Sequence, residues 1–209
     1  MCNFKKTVVL KNIIRMKQKF IIIGFVILTA SCNYQPNNTS TNQKESAIII
    51  DNADNATIDS ILKVQIKEYL TALNGGDPET AISYCYPDMF VWMKQQYPEE
   101  YSIEAVKEMF REPIREMKKL AREKNLTYDF EIGKITKRIE TDTDKLFTVV
   151  ISIIAKRDFD EIKMGDEIIA ISIDNGENWK FIQKDPETAP DILRMKYSQD
   201  IVAQIMSKN

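Results

Sequence analysis

The chain has 209 residues, 44% of them hydrophobic and 29% charged, with a formal charge of −2 and no histidine. The missing histidine excludes His-based catalytic triads, His–Asp pairs and imidazole zinc sites together. Residues 1–31 hold six Lys or Arg and no acid, so residues 32–209 carry 23 basic against 31 acidic residues, a formal −8, which excludes both the clustered cationic surface of a nucleic-acid binder and electrostatic adhesion to anionic lipid.

The first element in chain order is a short basic segment, Lys17 and Lys19, followed by the uncharged apolar run Phe20 to Ala30. That run is too short for a membrane-spanning helix, which needs about 20 apolar residues, and it fits the core of a secretory signal, roughly 7–15 residues long. Leu28-Thr29-Ala30-Ser31-Cys32 then resembles a bacterial lipobox, although Thr29 stands where that family prefers leucine and Leu28 lies one place earlier. The resemblance implies a signal peptide over 1–31, cleavage before Cys32, a diacylglycerol anchor on its thiol, and a place in the bacterial cell envelope on the periplasmic or outer-surface side. The plainer alternative is an ordinary secreted or inner-membrane segment with an incidental cysteine. Met16, directly before the basic pair, is the expected translation start. With Cys32 lipidated, Cys85 has no partner for a disulfide and is expected to be a buried thiol.

Residues 32–56 are rich in Asn, Ser, Thr and Gln, a composition that buries too little apolar surface to fold and reads as a flexible tether. Inside it, Ala47-Ile48-Ile49-Ile50 is an apolar exception expected to dock as an edge strand. Residues 57–209 suffice for one domain with a real core.

Ile58, Ile61, Leu62, Ile66, Tyr69, Leu70 and Leu73 recur at spacings of three and four, predicting a helix that Asn74-Gly75-Gly76 stops. Asp77-Pro78 opens a second helix with an acidic cap and a proline in its first turn. Pro87 breaks the chain before the helical segment MFVWMKQQY, and Ser102 caps a long helix that Pro113 should kink or split. After Asn125 the period becomes two. A first strand carries Tyr128, Phe130 and Ile132 on one parity and Ile135 and Ile139 on the other, with a bulge expected at Gly133. Strands follow over Leu146–Ala155, Ile168–Ile173 and Trp179–Gln183. One face is read as wholly apolar (Phe147, Val149, Ile151, Ile153, Ile169, Ile171, Ile173) and the other as mixed (Thr148, Val150, Ser152, Ile168, Ala170, Ser172). A last helix, Pro190 to Met206, is expected to cover the second face.

The fold class is therefore α+β, with helices packed on a curved antiparallel sheet. This order, with the phrase Tyr69-Leu70-Thr71-Ala72-Leu73-Asn74-Gly75-Gly76-Asp77-Pro78-Glu79-Thr80-Ala81, resembles the nuclear transport factor 2-like cone fold over roughly Thr57 to Lys184, the C-terminal helix being an addition. Fold alone does not choose a function, because that cone hosts isomerases, dehydratases, adaptors and immunity proteins.

The residues themselves supply no catalytic constellation. Tyr69 sits where an isomerase of the ketosteroid type would place a phenol, but no acid on the mixed strand face completes it. Ser172-Ile173-Asp174-Asn175-Gly176-Glu177-Asn178-Trp179 resembles the Asp-box of sialidases and propellers, which in a single copy is a braced hairpin corner. Thr141-Asp142-Thr143-Asp144 lacks the glycine and closing glutamate of a calcium loop and reads as a solvated turn. The densest aromatic region, Tyr84, Tyr86, Phe90, Trp92, Tyr97 and Tyr101, is ordinary core material, or the lining of a pocket for an apolar ligand. With Tyr69, its members Tyr84, Tyr86 and Trp92 are the candidate ligand contacts. The expectation is a membrane-anchored protein that binds a small apolar ligand or an envelope protein, without a cofactor, a metal or catalysis. A His-free enzyme using carboxylates and tyrosines is the first alternative, and a structural or immunity-type interaction module, with a homodimer in view, the second.

Overall fold

The computed structural model describes residues 52–157 and 160–208. Cys32, the signal-like run and Ala47–Ile50 lie outside the described residues. The chain divides into two compact units, Met1–Thr57 and Ile58–Asn209. Of the first unit, only the start of helix α1 is described.

Helix α1 (Asn52–Gly75) begins within the segment read as tether. It ends as its glycines dictate: Gly76 takes φ +77, and the Gly76 and Asp77 amides donate to the Ala72 carbonyl at 3.0 and 2.9 Å, closing the last turn. Helix α2 (Pro78–Tyr84) is capped by Asp77, whose Oδ1 accepts from the Thr80 amide at 3.1 Å. Pro87 is the first residue of helix α3 (Pro87–Gln96) and so starts an element as well as breaking one. Helix α4 (Ile103–Lys124) is capped by Ser102 and by left-handed Asn125. It runs through Pro113 as one element, so of the two expected outcomes, a kink or a division, the division does not occur. Caps at both ends, with buried Val106 and Met117 on either side of the proline, offset the ~3 kcal/mol that an interior proline costs.

Strands β1 (Thr127–Glu140), β2 (Lys145–Arg157), β3 (Asp160–Ser172) and β4 (Lys180–Gln183) form one antiparallel sheet in the order β1-β2-β3-β4. The register of β1 on β2 slips twice, between Ile132 and Ile135 and again between Ile135 and Lys137. The first slip is the bulge expected at Gly133, where a Cβ would stand 3.2 Å from the Cβ and the carbonyl oxygen of Val150. It carries Ile135 onto the face of Phe130 and Ile132, opposite Val149. The second slip sends Ile139 to the other face, opposite Leu146. Parity counted along the sequence puts Ile135 and Ile139 together, and that expectation fails because parity survives only where no slip intervenes.

Register also corrects the two faces. Phe147, Val149 and Ile151 stand opposite Ala170, Ile168 and Asp166, whereas Leu146 and Thr148 stand opposite Ile171 and Ile169. Ile169 and Ile171 therefore share the face of Leu146, not that of Phe147. Ile173 belongs to neither, since β3 ends at Ser172 and leaves it 67% exposed. Alternation within a strand is set by its own period, but which faces of two strands coincide is set by the hairpin joining them.

Each face supports its own core. Leu62, Ile66 and Leu70 of α1 pack on Phe147, Val149, Ile168, Trp179 and Phe181, each fully buried aliphatic contributing about 1.5–3 kcal/mol of transfer free energy. On the opposite face, Leu146, Ile169 and Ile171 meet Met89 and Met93 of α3 and the C-terminal residues Ile192, Leu193, Val202 and Ile205. That cover is not the single helix expected from Pro190 to Met206. It is two short ones, α5 (Ala189–Leu193) and α6 (Gln199–Met206), the second restarted by Ser198, which is extended and accepts from the Ile201 amide. Among the described residues no helix is long and apolar enough to cross a membrane.

Candidate functional site

The four candidate aromatic contacts fall at three separate places. Cys85 forms a one-residue parallel bridge with Phe181, and the Tyr86 amide donates to the Phe181 carbonyl at 2.9 Å. Proline as the next residue restricts Tyr86 to extended backbone, and it holds φ −64, ψ 123. In three consecutive residues the chain thus crosses between cores: Tyr84 packs on the α1 side, Cys85 and Tyr86 on the other.

The first place is an aromatic stack. Tyr69 lies 5.3 Å from Phe181 and 6.4 Å from Tyr84, and Tyr84 is stacked on Phe181 at 5.9 Å. The Tyr84 hydroxyl donates to Glu68 Oε2, a bond that, with partial burial, pushes its pKa up to about 12. Burial, then the Cys85 thiol beside it, raises Tyr69 well above the usual phenol value. Cys85 is the buried thiol expected, and burial pushes it up to about 12. The Tyr69 and Tyr84 phenols and the Cys85 thiol are therefore all neutral near pH 7.

Trp92 lies elsewhere, on α3, in an edge-to-face pair with Tyr97 at 6.1 Å. It packs against the core that contains Tyr86, together with Phe90 and Tyr101.

Tyr86 belongs to a third place, which the sequence does not reveal. Its hydroxyl donates to Asp88 Oδ2 at 2.9 Å, and its phenol also meets that of Tyr197. The Tyr197 hydroxyl donates to Asp144 Oδ2 at 2.7 Å, and Lys196 Nζ stands 2.6 Å from the same oxygen. Asp144, expected to lie in a solvated turn, is only 3% exposed. The turn itself is built as expected, the Asp144 amide donating to Thr141 Oγ1 at 2.9 Å, but its carboxylate points inward to the C-terminal arm. Burial works to raise the Asp144 pKa, while the hydrogen bonds from Lys196 and Tyr197 outweigh it and hold the carboxyl below its ordinary value. Burial and then the carboxylate partner raise both phenols, at Tyr86 and at Tyr197. No local signal marks this cluster, because Tyr197 and Asp144 are 53 residues apart.

The Asp-box-like segment is a hairpin corner braced by its own side chains. Ser172 Oγ donates to Asp174 Oδ1 at 2.7 Å and accepts from the Gly176 amide at 2.9 Å. The Asn178 amide donates to Asp174 Oδ1, and its side-chain Nδ2 to Oδ2. The Trp179 indole donates to the Gly176 carbonyl at 3.0 Å. From α1, Gln65 grips the corner through the Glu177 carbonyl and the Trp179 amide, both at 2.8 Å.

No protein-family model matches the chain, and no curated protein matches it.

Proposed function

We propose that the chain is a lipoprotein of the bacterial cell envelope, anchored through Cys32, whose domain holds a small apolar ligand without transforming it, and that this domain is a nuclear transport factor 2-like cone. The fold reading is supported by the four helices that, among the described residues, precede a four-stranded antiparallel meander whose first strand is bulged twice. The observation that carries the binding reading is the Tyr69–Phe181–Tyr84 stack. Phe181 is buried while the Tyr69 and Tyr84 rings are partly buried, both phenols stay protonated, and Glu68 is tied to the Tyr84 hydroxyl, leaving neutral aromatic faces suited to apolar contact.

The buried Asp144, Tyr197 and Tyr86 are the observation that favours the enzyme alternative, since carboxylate–phenol chemistry needs these groups in contact. Their arrangement argues for a clamp instead. Lys196 keeps Asp144 ionised, so it accepts rather than donates, and the Tyr86 and Tyr197 hydroxyls are already committed to carboxylates.

Native mass spectrometry of a soluble form from Ser46 onward, expressed into the envelope and purified without detergent, tests the binding reading. A co-purifying apolar mass that a Tyr84→Ala variant loses is the expected result. A bare protein in both forms overturns the small-ligand reading and turns the search to an envelope protein partner. Separately, Cys32→Ala is expected to move the full chain out of the membrane fraction, and continued membrane retention overturns the anchor.

A further inference from the structure

We draw no further inference here: the strongest candidate, the side-chain cluster of Asp144, Lys196, Tyr197 and Tyr86 between the β1–β2 turn and the C-terminal arm, belongs to the site already described, its hydroxyls both donating to carboxylates.

Discussion

The two faces of the sheet are sealed by different means. On one, a helix of 24 residues lays Leu62, Ile66 and Leu70 along Phe147, Val149 and Ile168. On the other, Met89 and Met93 of α3 share the cover of Leu146, Ile169 and Ile171 with C-terminal helices of five and eight residues. Helices that short are marginal by themselves, because nucleation cost is spread over few bonds. Polar clamps at both ends supply the difference. Just ahead of α6, between the two short helices, Lys196 and Tyr197 hold Asp144. At its end, Lys137 Nζ lies 2.9 Å from the Gln204 carbonyl and 2.5 Å from that of Ser207, where Lys184, paired with Glu167 at 2.8 Å, also arrives. Two ammonium groups on the last carbonyls of α6 complement the negative end of a helix. A long amphipathic helix is held by its stripe, whereas a short one needs its ends tied.

The contrast is broken most directly on the α1 side. Trp179 is fully buried, 5.0 Å from Phe147, and Trp179→Ala is expected to cost about 3–5 kcal/mol, read as a lower urea midpoint. A loss under about 1 kcal/mol would show that this face does not depend on its apolar packing.

On the arm side, Asp144→Asn is expected to cost about 1–3 kcal/mol, the range for stripping a charged partner from buried donors. The wild type carries a pH signature as well. Because the folded pKa of Asp144 is depressed, its contribution is complete above the ordinary aspartate value of ~3.9 and is lost as pH falls through the lower folded value. The wild-type advantage over Asp144→Asn should therefore be constant from about pH 5 to 7 and shrink below about pH 4. An advantage that grows in acid would mean Asp144 is not the ionised acceptor. Hydrogen exchange sharpens the same comparison, with α6 amides expected to open at lower free energy than those in the middle of α1.

Smaller effects belong to the hairpin and the stack. Ser172→Ala removes the hydroxyl that links Asp174 to the Gly176 amide and is expected to cost about 1 kcal/mol in thermal or urea unfolding. Tyr84→Phe removes only the bond to Glu68 and should stay within about 0.5 kcal/mol, while keeping any apolar mass that Tyr84→Ala sheds. A Phe variant that sheds it too would assign recognition to the hydroxyl rather than to the ring.

The local features were legible because each is written within a few residues. Asp77 and Ser102 cap their helices, Gly76 and Asn125 end them in left-handed backbone, and the corner from Ser172 to Trp179 is tied by bonds between residues no more than four apart. Gly133 likewise announced a bulge. The sequence by itself thus determined where most elements begin and end, the α+β class and the burial of Cys85. Only the tertiary structure decided which strand faces coincide, that a second slip after Ile135 turns Ile139 away, that the arm restarts at Ser198, and that Asp144 is a buried anchor. The physical reason is separation along the chain. Periodicity and capping record interactions over one to four residues, whereas the side-chain partners of Asp144 and Lys137 are chosen by register and packing between elements that no local pattern can specify.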